Sequence, residues 1–139
     1  MRVFVCALAA ASAGLLAGVS LRAGEKPPES YVKLMKDTNA AAQALRGHVQ
    51  AKDYDAIATD AATLKSLFAD TEAFWTPRKA EDAIGFTKTG ASAAADLESA
   101  ARARDEEKVG AAARAVNGTC QGCHTAHRQR LPDGTSEIK

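Results

Sequence analysis

Apolar residues recur at intervals of three and four positions in four segments of the chain, with polar residues between them. This spacing is typical of amphipathic helices, each of which turns one apolar face toward a core. No stretch shows the sustained alternation of apolar and polar residues that indicates a strand. The pattern therefore predicts an all-α fold, in which four helices joined by short turns bury their apolar faces as an antiparallel four-helix bundle.

Capping and breaking residues indicate where these helices begin and end. Asp53 and Asp105 stand directly before the second and fourth segments, and a short acidic side chain in this position caps the free N–H groups of a first turn. Pro77 interrupts the pattern because proline lacks the backbone N–H. We expect Gly85 and Gly90 to weaken the third helix locally. The predicted helices cover residues 29–50, 54–74, 79–103 and 106–130, and the polar tail at 135–139 is expected to fray.

The N-terminal 23 residues have the composition of a secretory signal peptide. Arg2 precedes an apolar run of small residues from Val3 to Val19, and Ala23 offers a cleavage point. The run is short for a membrane span, although an uncleaved anchor is the alternative reading. The sequence therefore predicts a signal peptide at 1–23, a single mature domain at 24–139 and a periplasmic location.

The mature chain carries almost no net charge. Removing the two arginines of the signal from 18 basic residues leaves 16, against 17 acidic ones. Such a balance gives no electrostatic footprint for nucleic acid or for an anionic membrane surface. Alanine outnumbers all the larger apolar residues together in the mature chain, so the core is poor in bulky side chains. A flat apolar ligand would supply the missing buried surface.

The candidate chemistry lies in the run from Cys120 to His124, which reads C-x-x-C-H. In an exported protein this run is the attachment signal for a c-type haem. The thiols of Cys120 and Cys123 join two vinyl groups of the porphyrin, and His124 binds the iron as the proximal ligand. We therefore predict one covalently bound haem c per chain.

Two other uses of these cysteines compete with haem attachment. A thioredoxin-like dithiol would follow a strand, and no strand pattern precedes Cys120. A structural zinc site would combine Cys120 and Cys123 with His127 or His48, but such sites usually draw a second ligand pair from a separate turn. The sequence offers no such pair, which favours haem.

A haem motif at the far C-terminal end of a four-helix chain resembles the class II cytochrome c, or cytochrome c-prime, family. The specific part of the resemblance is short: the C-x-x-C-H run and Arg128, four residues after the histidine. This chain has His127 where the family usually has an aromatic residue. The resemblance implies a left-handed four-helix bundle in the periplasm, often paired into a homodimer through its first two helices.

Family members use their iron in two ways, and Met35 bears on the choice. Some leave the iron five-coordinate and bind NO or CO, whereas low-spin members place a methionine from the first helix on the iron and carry electrons. Met35 is the one methionine outside the signal and lies on the apolar face of the first helix. We therefore expect a six-coordinate one-electron carrier with His124 and Met35 as axial ligands, with a five-coordinate gas-binding protein as the alternative.

The expected carrier exchanges electrons with periplasmic redox proteins and is not an enzyme. A peroxidase would need a polar acid–base pair on the distal side, and the first helix offers none. Arg128 is expected near a haem propionate or near the proximal histidine, against the simpler reading of a solvated arginine at a helix end. His127 is expected to flank the haem edge, and Trp75 to plug one end of the bundle.

Overall fold

A computed structural model of the protein describes residues 24–139, and the predicted signal peptide lies outside the described residues. The chain forms four long helices, each packed against the next: α1 (Glu29–Ala51), α2 (Tyr54–Trp75), α3 (Glu81–Arg102) and α4 (Glu106–His127). Because the connections are short, consecutive helices run in opposite directions. The predicted four-helix architecture is therefore confirmed. Within the described part of the chain, no helix is long and apolar enough to cross a membrane.

The predicted helix ends are accurate where a side chain caps them. Asp53 accepts a hydrogen bond from the backbone N–H of Ala56, and Asp105 accepts one from the N–H of Lys108, each at 3.1 Å. Both carboxylates lie at the positive end of a helix, where an acceptor replaces the missing backbone partner. Pro77 lies in a single 3-10 turn between α2 and α3, at the break expected from the sequence.

The densest part of the core lies between α2 and α3. Ile57 and Leu64 of α2 are buried against Leu97 of α3, with alanines filling the space between them. Helix α3 continues without interruption through both of its glycines. Gly90 faces the Phe68 ring so closely that a Cβ atom would overlap it. The glycine therefore allows the two helices to approach closely.

The C-terminal tail is ordered, and the prediction that it frays is wrong. Strands β1 (Arg128–Arg130) and β2 (Ser136–Ile138) pair in an antiparallel hairpin. Two backbone hydrogen bonds of 2.8 Å between Glu25 and Ile138 tie this hairpin to the start of the described chain. Ile138 is only 7% exposed, because its side chain packs into an apolar cluster at the end of the bundle. Helix α4 accordingly ends at His127, three residues earlier than expected.

This end of the bundle is closed by aromatic side chains. Trp75 is buried, and Tyr31 stacks on Phe74 with ring centroids 3.8 Å apart. The guanidinium of Arg78 covers the Phe74 ring from the outside, at 3.8 Å from its centroid. Trp75 therefore plugs the bundle end, as the sequence predicted, and Tyr31 connects this cluster to the first helix.

Candidate cofactor site

A cavity of about 730 Å³ separates α1 from α4. Helix α1 packs on α2 but hardly touches α4, and Leu45 is its one buried residue. Tyr31, Met35, Ala42 and Val49 of α1 border this cavity and are only partly covered. The walls are mainly apolar: Tyr31, Met35, Ala42, Leu45 and Val49 of α1, Phe68 of α2, Phe86 of α3, and Ala113, Val116, Cys120, Cys123 and His124 of α4.

Four of the five predicted site residues line this one cavity. Cys120, Cys123 and His124 lie on the α4 wall, and Met35 lies on the α1 wall. The grouping on α4 follows from helical geometry, because residues three and four apart share a face. Arg128, the fifth, begins strand β1 and is exposed to solvent.

A close contact between α4 and α3 fixes the position of the motif. Gly122, inside the C-x-x-C-H run, faces the edge of the Phe86 ring, and a Cβ atom there would be too close to the ring. The glycine therefore lets α4 lie near α3 at the level of the two cysteines. By contrast, Gly118 has no neighbouring atom near its Cβ direction, so the helix surface is open to the cavity one turn earlier.

Both cysteines are free, half-buried thiols. Burial raises the pKa of Cys123 to about 11, reinforced by the neighbouring Cys120 and by the carboxylate of Asp82. Burial also raises the pKa of Cys120, which the positive charge of Arg46 partly opposes. Both side chains are therefore neutral thiols at physiological pH, directed at an apolar space.

The surroundings of His124 favour the neutral form of its imidazole. Burial lowers the pKa of its imidazole, and the positive charge of Arg128 lowers that pKa further. A neutral imidazole has a free nitrogen lone pair, which is the form that binds metals. The positive charge of Arg128 therefore acts on the imidazole of His124.

The other two histidines lie away from the cavity. His127 is one turn beyond Cys123, but its ring packs against Trp75, with the ring centroids 4.9 Å apart. Its Nε2 lies 2.9 Å from a carboxylate oxygen of Asp82, in a direction that does not form a hydrogen bond. His127 is not among the residues that line the cavity, so the expectation that it flanks the cofactor edge stays a prediction. His48 contacts Asp60 at 2.6 Å, as expected for a satisfied surface histidine.

Two arginines at the cavity mouth were not singled out from the sequence. Arg46 of α1 and Arg114 of α4 line the cavity and are exposed. A signal for Arg46 was present, because Arg46 follows Met35 by eleven residues. This spacing is close to three helical turns and places Arg46 on the same face of α1 as Met35.

Neither a family model nor a curated protein matches this chain. Among residues 24–139, no three His, Cys, Asp or Glu side chains converge as a set of metal ligands. The likeness to class II cytochromes c thus depends on the motif, its C-terminal place and the four-helix order.

Proposed function

We propose that this protein is a periplasmic one-electron carrier of the class II cytochrome c type. In this proposal Cys120 and Cys123 hold a haem c covalently, His124 is its proximal ligand and Met35 its distal ligand. The observation that carries the proposal is the placement of Met35 and the C-x-x-C-H residues on the two walls of one cavity. Without that placement, Met35 would be an ordinary core residue.

The cavity fits such a group in size and chemistry. Its volume lies within the roughly 300–1,000 Å³ of small-molecule and cofactor sites. The lining is mainly apolar, with few polar groups, as in sites that bury a flat ligand. Two thiols, an imidazole and a thioether form the donor set that c-type cytochromes use.

Each of these residues has a definite task. The two thiols would fix the ring to α4, each by adding its S–H across one vinyl group. His124 would supply a neutral nitrogen, and the thioether of Met35 would favour the reduced state. When bound, the haem supplies reversible one-electron exchange. No Asp or Glu of residues 24–139 lines the cavity, so the walls offer no carboxylate for moving protons.

The optical spectrum of the mature protein, with and without CO, tests this proposal. A His124/Met35 pair predicts a low-spin ferric spectrum and slow binding of CO to the ferrous protein, because Met35 must first leave the iron. A high-spin spectrum with immediate CO binding would contradict the carrier function. That result would instead make a five-coordinate protein that binds NO or CO the leading function.

A further inference from the structure

The mouth of the cavity carries positive charge without compensation. Arg46 and Arg114 line it from opposite walls, and neither forms an ion pair with any residue in the described range 24–139. Apart from His124, the lining has neutral polar side chains: Thr38, Asn39, Gln50, Thr71, Thr87, Asn117, Thr119 and Gln121. A surface pair of this kind is available to an external anion.

The two stretches of chain that flank the mouth carry basic but no acidic side chains. Residues 38–52 of α1 and the turn after it contain no Asp or Glu, and neither do residues 109–132. Acidic residues are instead frequent on α2 and α3: Asp55, Asp60, Asp70, Glu72, Glu81, Asp82, Asp96 and Glu98. A chain with almost no net charge therefore has a local excess of basic side chains at the cavity mouth.

We propose that the cavity mouth between α1 and α4 is the docking surface for a redox partner with an acidic surface patch. The inference rests on the proposed function, because an electron carrier must bring its cofactor edge close to the partner. Arg46 lines the same cavity as Cys120, where the cofactor would be attached, and its positive charge acts on that thiol. A partner carboxylate bound to Arg46 would therefore lie beside the group that exchanges electrons. Arginine suits this contact because its planar group binds carboxylates in a bidentate manner.

The position of Arg114 favours an external partner over the carboxylates of the cofactor itself. Its guanidinium turns back along α4, so that Nη1 lies 3.4 Å from the position a Cβ would take on Gly110. Gly110 is one turn farther from His124 than Arg114 is. Side chains on a helix point toward its N-terminus, and here that direction leads away from the haem motif.

A redox-inert anion locates the surface directly. Adding hexacyanochromate(III) to the reduced holoprotein should broaden the amide signals around Arg46 and Arg114, because a paramagnetic anion concentrates at the uncompensated charge. The variant Arg46→Gln/Arg114→Gln should lose this broadening. The control Lys65→Gln/Arg102→Gln removes the same charge from the opposite face, where both side chains contact Glu98, and should keep it.

Electron-transfer rates then show whether the surface also binds an acidic partner protein. Between about 0.01 M and 1 M salt the Debye length falls from about 30 Å to 3 Å. The rate with a blue-copper protein whose docking surface is acidic should fall roughly tenfold over this range, as expected for steered association. It should fall by no more than roughly twofold in Arg46→Gln/Arg114→Gln. The control variant should behave like the wild type.

Three results would overturn this docking surface. The first is broadening elsewhere on the protein, and the second is a rate that salt does not affect. The third is a shifted midpoint potential in Arg46→Gln/Arg114→Gln with an unchanged salt dependence, which would assign the arginines to the cofactor carboxylates. Failure of the proposed function is separate: a preparation without haem would contradict the carrier role, whereas the three results above are all obtained with protein that carries haem.

Discussion

At the scale of single residues, Met35 distinguishes the proposed electron carrier from a five-coordinate gas-binding protein. It stands on the α1 wall, opposite the motif on α4, and is partly buried there. Helix α1 is the least buried of the four helices, so a ligand bond from Met35 would also anchor α1 across the cavity. In the proposed function, the role of Met35 would therefore be both chemical and structural.

Replacement of Met35 tests this role. Met35→Ala should convert a low-spin ferric protein to high-spin and make CO binding fast, while the haem stays attached, because the thioether bonds and His124 are unchanged. Leu45→Ala, which also shortens a cavity-lining side chain of α1, should leave the spin state as it is. If Met35→Ala has the spectrum of the wild type, Met35 is not a ligand.

Tyr31 gives the protein a predictable sensitivity to alkali. Burial raises the pKa of Tyr31 to about 12, so the folded state favours the neutral phenol. The resulting stabilisation is complete below about pH 10, the usual pKa of tyrosine, and is lost as the pH rises toward 12. The pKa difference corresponds to roughly 2–3 kcal/mol in the free energy of unfolding. Tyr31→Phe should therefore lose less stability than the wild type between these pH values in denaturant unfolding.

At the scale of helices and strands, the contact between α2 and α3 should be the most sensitive to added volume. Gly90→Ala places a methyl group against the Phe68 ring and should lower the free energy of unfolding by about 1–3 kcal/mol. Gly85→Ala adds the same group to the same helix where no atom lies nearby, and should raise it by up to about 1 kcal/mol. Equal effects of the two substitutions in denaturant unfolding would contradict the close packing.

The helices could be predicted from the sequence because their signals are local. Asp53 and Asp105 cap the turns that immediately follow them, and the apolar spacing needs no distant partner. The strands could not be predicted in this way. Their three-residue lengths are too short for a pattern, and Ile138 is held by Glu25, at the other end of the described chain.

The candidate site was predictable in part for the same reason. The C-x-x-C-H run is contiguous, so its residues share one helix face wherever α4 lies. The surroundings of His127 depend on where the cavity ends, and α4 carries that residue against Trp75. The roles of Arg46 and Arg114 likewise follow from the separation of α1 and α4, which no local pattern specifies.

At the scale of the whole molecule, stability should depend on the bound group. The largest fully buried side chains are Ile57, Leu64 and Leu97, all between α2 and α3, and the cavity leaves the α1 side without a packed core. A haem there would bury apolar area worth roughly 25 cal/mol per Å². A haem-free variant with alanine at Cys120, Cys123 and His124 should unfold over a broad range, whereas the holoprotein should unfold cooperatively. A sharp thermal transition in the haem-free variant would argue against this dependence.

The covalent attachment of haem is the central claim, and extraction with acidified acetone tests it most directly. Protein matured in a periplasm should keep its haem absorbance with the polypeptide, and its intact mass should include one haem. In Cys120→Ala/Cys123→Ala any haem should pass into the acetone, because only axial bonds would hold it. Wild-type protein whose mass contains no haem, or whose haem is fully extracted, would contradict the account.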